Sequence, residues 1–417
     1  MNTEYNKNEI KKESVIKRIM SSLGPGFIIA ATVFGGGSII TASKAGSIAG
    51  YSYLWAIILA AIFMVSFTRM SATIGCVSEK TMLEEIEVNY SRLLAILFSF
   101  CCFLICAGFQ SGNNINIGVA LNALFPAINV KVWIIVSYLV ILLLIWKSRS
   151  FYEILEKIMT ILVLIMILCF MGNILFFIPQ IKGGQLIRGV LPGKVENWQL
   201  IVSMSATTFS IVGAACQSYL VQGKGWSKSN LQKAKRDSSV GIIVLTAITA
   251  ILLITAATLI PKGSDITNVP SIALLLKPLL GNFANIMFLI GFFAAVFSSA
   301  IANAVIGGTF IADGLKLGKN INDFWVKMFS SFIITLGMGV GLIFGSNPMQ
   351  LTIMAQGATI VGAPLIAVTL LLLGNNKKVV GENKNGLIMN IIGCVAVAWL
   401  TFLSINQILL WCGISIL

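Results

Sequence analysis

Apolar residues along this chain come in long blocks, not in the alternating or 3.6-period stripes of a soluble fold. Runs of roughly 20 mostly apolar residues recur from near residue 22 to near the C-terminus, and each is long enough to cross a bilayer as a helix. Eleven spans are predicted, at 22–48, 51–77, 91–124, 130–147, 152–178, 197–222, 239–260, 279–314, 325–345, 347–373 and 386–414. The polar stretches between them are too short for a soluble domain. The expectation is a cytoplasmic tail over 1–21 and one transmembrane domain over 22–417. The N-terminus is polar and charged up to Arg18, and the first apolar run has no small-residue cleavage pattern, so no removable signal is expected.

Two spans depart from an ordinary helix. The first reads Phe34-Gly35-Gly36-Gly37-Ser38 at its middle, and each glycine costs a helix about 1 kcal/mol against alanine. Three in a row exceed what a close helix contact needs. The second is the hydroxyl-rich stretch from Ala206 through Thr207, Thr208, Phe209 and Ser210 to Ala215. Non-helical backbone at membrane depth survives only where protein or a water-filled cavity covers it. Interruptions at matching places in two halves are the mark of an inverted-repeat transporter with its site at the midplane. Spans 1 and 6 are five apart, so spans 1–5 and 6–10 are read as the repeats, with span 11 appended.

Composition supports this picture. Residues are 57% hydrophobic and only 11% charged, where a soluble domain carries about 25% charged residues. The net charge of +14 would suggest nucleic acid if it were clustered. With the N-terminus inside, only Lys131, Lys182, Arg188, Lys194, Lys262 and Lys277 fall on outer segments, and Lys44 and Arg69 lie within spans. The other basic residues are cytoplasmic, as the positive-inside rule requires, which places the C-terminus outside. Arg69 is read as snorkelling, and the basic 224–236 loop as meeting anionic headgroups. The eight cysteines lie in apolar spans without a CxxC pair, and the chain has no histidine. They read as small apolar fillers.

The residues now on the page carry a resemblance. Gly24 to Gly46 resembles, without a gap, the GPG…DPGN…TDLQAG segment of the NRAMP family, the proton-coupled transition-metal importers of LeuT-type fold. Gly50-Tyr51-Ser52-Tyr53-Leu54-Trp55 resembles that family's GYSLLW, Ala120–Phe125 the end of its helix 3, and Phe293–Ser299 its LLAAGQSS. The match covers nearly the whole chain. It implies an all-α membrane protein of LeuT-type fold, with a 5+5 inverted repeat, 11 transmembrane helices and helices 1 and 6 broken at mid-membrane.

The departures from the family are chemical. Where DPGN supplies an Asp and an Asn to the metal, this chain has Gly35, Gly36, Gly37 and Ser38. The position of the family's metal-selecting Met is Phe209 or Ser210, depending on register. The helix-3 acids of the family's proton route are matched by Gln110 and Asn113, and its helix-10 Gln is kept as Gln356. Aspartates and glutamates lie only in tails, loops and span ends, so neither a metal centre nor a proton relay is expected at the midplane.

What remains there is the free amides at the start of the outer half of helix 1, near Ser38, which favour an anion. The expectation is therefore a secondary transporter of a small inorganic oxyanion such as bicarbonate, and not an enzyme. Gly35, Gly36, Gly37, Ser38, Thr208, Phe209, Ser210 and Gln356 are its candidate substrate-binding residues. Thr41, Lys44, Gln110, Asn113, Ser298 and Ser299 are candidate path or coupling residues. The hydroxyls of Ser298 and Ser299, opposite carbonyls near Thr32 and Val33, are a candidate sodium seat, as in LeuT-type sodium transporters. No other cofactor is expected; the chain is read as a monomer in contact with membrane lipid, in the plasma membrane. The alternatives are a divalent-cation transporter that handles hydrated magnesium and a sensor that binds without transport.

Overall fold

The computed structural model describes residues 24–147, 161–162, 164–165, 167–170, 178–181, 183–260, 269–344 and 347–414. The expected tail over 1–21 and most of the expected span 152–178 lie outside these. Among the described residues the fold is helical throughout, and nine stretches are long and apolar enough to cross a membrane.

The first predicted span is two helices. α1 (Pro25–Val33) starts on proline, whose fixed φ suits the first helical turn. Its cap comes from far away: Asp237 accepts the Gly24 and Gly26 amides at 3.1 and 2.6 Å. Gly26 and Gly241 then let the two backbones touch, since a Cβ on Gly241 would fall on the Gly26 carbonyl. After a two-residue break, α2 (Gly36–Ala49) resumes. A 3₁₀ turn over Gly50–Tyr53, entered through Gly50 at φ 62°, leads into α3 (Leu54–Val77). A short α4 (Met82–Asn89) follows, opened by a capping box between Thr81 and Glu84.

α5 (Arg92–Leu124) and α6 (Val130–Lys147) match their predicted spans closely. A short α7 (Gly183–Gly189) precedes the second broken span, made of α8 (Trp198–Thr208) and α9 (Ile211–Gly223). α10 (Leu231–Leu259) and α11 (Val269–Gly314) begin eight and ten residues earlier than predicted. At the start of α10 the charged run Lys233, Lys235, Arg236 and Asp237 lowers hydropathy, so hydropathy alone truncates that helix; in α11 the prediction began after Lys277 and Pro278. α12 (Phe324–Phe344) agrees with prediction. The tenth span is interrupted: α13 (Pro348–Ala358) passes through a 3₁₀ turn at Thr359–Gly362 into α14 (Ala363–Asn375). A one-turn α15 (Lys377–Val380) precedes the final α16 (Leu387–Trp411).

The core gathers around α1, α2, α5, α8, α9 and α11. Fully buried Phe34, Phe209, Phe292 and Phe310 lie on these elements, whereas α6 and α16 expose large apolar side chains outward. That inversion is expected where lipid, not water, covers the outside. At one end of the molecule α4 is tied to the segment after α11 by Lys316–Glu87 (2.7 Å) and Lys319–Glu84 (3.1 Å). The Lys316 hydrogen bond, with the Lys316 and Arg92 charges, holds the Glu87 carboxyl below its ordinary range.

Candidate functional site at the two helix breaks

Each break is two residues long and begins with a buried phenylalanine. In the first, Phe34 leaves the helix (φ −80°, ψ 91°), its amide still bound to Ala30, and extended Gly35 precedes α2. In the second, Phe209 leaves (φ −98°, ψ 67°) with its amide on Ser205, and Ser210 caps α9 by accepting the Gly213 amide at 3.4 Å. The unwound residues are thus Phe34 and Gly35. Gly36 and Gly37 belong to the first turn of α2, which begins two residues before the expected Ser38.

The glycines are needed for another reason. A Cβ on Gly35 would lie 2.6 Å from Ser299 Oγ and 3.2 Å from Asn113 Oδ1; one on Gly36 would meet Asn116 Nδ2 at 3.0 Å; one on Gly37 would fall on the Gln356 carboxamide. Four polar side chains from α5, α11 and α13 therefore press against the backbone of the break. Asn113 and Asn303 both donate to Ser299 Oγ (3.1 and 2.9 Å), and Ser299 donates to the Thr32 carbonyl at 2.8 Å. Ser298 donates to the Ala31 carbonyl (3.1 Å), and Ser38 to that of Val33 (3.2 Å). The last carbonyls of α1 are thus met by hydroxyls, not left bare.

These groups enclose a cavity of about 10 Å³, lined by Thr32, Val33, Gly35, Gly37, Ser38, Phe109, Asn113, Thr207, Ser210, Ser299, Asn303 and Gln356. It has room for one water molecule or one bare ion. Of the candidates read from sequence, Gly35, Gly37, Ser38, Ser210, Gln356, Asn113 and Ser299 line it. Gly36 faces Asn116 instead. Phe209 packs on Phe63 and Phe67. Thr41 bonds back to the Gly37 carbonyl, and Lys44 is half-buried further along α2. Gln110 donates to Asn114, which bonds the Ile334 carbonyl. Asn303, Thr207 and Phe109 line the cavity without having been singled out. Asn303 lies one turn after Ser299, the only signal of it in sequence.

Several buried oxygens of these helices have no hydrogen-bond partner among the described residues: Gln356 Oε1, Asn116 Oδ1, Thr208 Oγ1 and Gln110 Oε1. On the side of the molecule where Gln222 ties α9 to Ser78 and Lys80, a vestibule of about 730 Å³ runs inward. Tyr219, Cys216, Thr309 and Asn320 line it, and it reaches Thr32, which it shares with the small cavity. The site is thus approached from that side. Among the described residues no cluster of three or more histidine, cysteine, aspartate or glutamate side chains is placed to hold a metal ion.

Comparison with known proteins agrees with the fold. The family model described as "Natural resistance-associated macrophage protein-like" matches residues 26–410. The divalent metal cation transporter MntH of Staphylococcus saprophyticus is 22% identical over 417 residues, covering 94% of this chain and 92% of its own. That of Xylella fastidiosa is 25% identical over 312 residues, covering 71% of this chain but 63% of its own length. A crystal structure of the Eremococcus coleocola manganese transporter superposes with a TM-score of 0.76 at 19% identity, over 97% of this chain and 90% of that one. Mhp1, a nucleobase-cation-symport-1 family transporter, shares the fold at a TM-score of 0.57 and 12% identity, over 93% of each chain.

These findings overturn the expectation of a small inorganic anion as substrate and partner. The geometry supplies the physical reason. An anion was expected from the free amides near Ser38, which now open α2. Two negative ends, the C-termini of α1 and α8, meet at the same place, each carrying about half a negative charge. Broken helices in transporters use such carbonyl ends to take up cations.

Proposed function

The chain belongs to the Nramp family, and from that premise we propose that it moves a hard divalent metal cation, magnesium or manganese, across the membrane by alternating access. As an Nramp protein it is a transporter and not an enzyme. The observation that carries the proposal is the meeting of the α1 and α8 carbonyl ends with carboxamide and hydroxyl oxygens around one ion-sized cavity. Oxygen-only sites suit magnesium, calcium and manganese, whereas softer metals prefer imidazole and sulfur. Phe209 and Ser210 offer neither. With no carboxylate at the break, the ion keeps part of its water shell, and the vestibule ending at Thr32 supplies that water. The relatives named for manganese and divalent metals support the charge and size of the substrate.

The N-terminus is proposed to be cytoplasmic, the C-terminus extracytoplasmic and the membrane that of the cell surface. The vestibule then opens to the cytoplasm. Sodium is the proposed coupling ion, seated where the Ser298 and Ser299 hydroxyls meet the Ala31 and Thr32 carbonyls. Uptake unchanged when choline replaces sodium overturns the coupling alone.

The test of the main proposal is uptake into proteoliposomes loaded with magnesium- or manganese-sensitive dyes. Saturable magnesium or manganese uptake, poorly competed by cadmium, is expected. Stronger competition by cadmium than by magnesium would show a soft site and sink the proposal. Binding of either ion without flux would make the protein a sensor.

A further inference from the structure

Outside the site, the inner third of α3 and the start of α10 each place a positive charge at the edge of one small buried contact. Arg69 is half-buried, and its Nε is sealed from solvent with no hydrogen-bond partner among the described residues. It lies one turn before Ala72. Lys235, also half-buried, directly follows Ala234. Ala72, Cys76, Val221, Leu231 and Ala234 form one small buried cluster, so both cations flank the same contact, within reach of each other's charge. Asp237, two residues on, is turned to the α1 amides instead, and Lys233 lies over the Trp226 ring at 5.0 Å. Two like charges held together in a poorly solvated place are costly unless an anion bridges them.

The surroundings say which anion. Arg69 continues a stripe on α3 formed by Ile58 (39% exposed), Ile62 (45%) and half-buried Val65. Two turns on from Lys235, α10 exposes Ile243 (60%). The helices pack against each other with opposite chain directions, so both apolar stripes lead away from the cations toward the bilayer centre. Arg69 lies eight residues before the end of α3, about 12 Å at 1.5 Å per residue, a depth from which a long basic side chain can snorkel to the headgroup layer.

We propose that this groove binds an anionic phospholipid, with its phosphate between Arg69 and Lys235 and an acyl chain along Ile58, Ile62 and Ile243. Basic pockets between helices recognise phosphate headgroups, and the planar guanidinium offers its two terminal nitrogens as a paired donor.

The test is native mass spectrometry of the delipidated full chain in detergent, titrated with phosphatidylglycerol or phosphatidylcholine of identical acyl chains. Phosphatidylglycerol should be retained preferentially. Arg69→Gln and Lys235→Gln should each lower its retention about fivefold, the factor expected for one basic residue near a headgroup, while Lys377→Gln leaves it unchanged. Should Arg69→Gln fail to fold, Arg69→Lys keeps the charge but lacks the second donor and should show a partial loss. Equal retention of the two lipids, or full phosphatidylglycerol retention in both Arg69→Lys and Lys235→Gln, overturns the proposal. Displacement of the lipid by millimolar inorganic phosphate overturns it in favour of a soluble phosphate site.

Discussion

At the scale of single residues, the site is built from what glycine omits. Gln356 is 2% exposed and its Oε1 has no partner, so it costs stability where it stands. Gln356→Leu should therefore abolish divalent-cation uptake while leaving the melting temperature in detergent unchanged or higher; a fall in both would mark Gln356 as a packing residue only. Gly35 permits the converse experiment. Gly35→Asp puts a carboxylate where the family's DPGN motif has one, but its Cβ would lie 2.6 Å from Ser299 Oγ. Overpacking of this kind costs about 1–3 kcal/mol. Thermal unfolding should register that loss, and Ser299→Gly in the same chain should restore part of it. The sequence made the loss of the aspartate legible, because a missing side chain is visible in letters. It hid the carbonyl ends of α1 and α8, because backbone oxygens are the same in every letter. That is why the sign of the substrate's charge was misread.

At the scale of elements, both breaks were legible from glycine and hydroxyl content, but their limits were not. Unwinding is set by where Phe34 and Phe209 anchor, and a phenylalanine in a membrane span carries no signal of that. The late start predicted for α10 has the opposite origin, since its first two turns are charged and hydropathy rises only after the helix has begun. The capping box of Thr81 and Glu84 could have been read from spacing alone. The cap on α1 could not, since Asp237 lies 213 residues from Gly24. Hydrogen bonds to a charged acceptor contribute about 1.5–3 kcal/mol each, so Asp237→Ala should loosen α1 while leaving the rest of the bundle folded. The expected result is faster modification of Cys216, on the vestibule wall, by a methanethiosulfonate reagent. Asp237→Asn, which retains an acceptor, should fall between; equal rates in all three would show that α1 is held by backbone packing alone.

At the scale of the whole molecule, membrane insertion was legible from block hydropathy and the fold class from the family resemblance, while the placement of lysine and arginine supports the proposed orientation. Cys412 is exposed beyond the last helix. A membrane-impermeant maleimide should label it on intact cells in a chain whose other cysteines are replaced by serine or alanine; labelling only after lysis would invert the proposed topology. The long reach of Asp237 also has a temporal meaning. The amides that open α1 emerge first from the ribosome, and their acceptor follows 213 residues later, roughly 10–40 s at ordinary rates of synthesis. Until then the helix that will frame one side of the ion path has an unsealed beginning. A nascent chain stopped short of residue 237 should therefore show residues 24–26 open to protease, and one released beyond α10 should show them closed, so α1 is sealed only after α2 to α9 have been made.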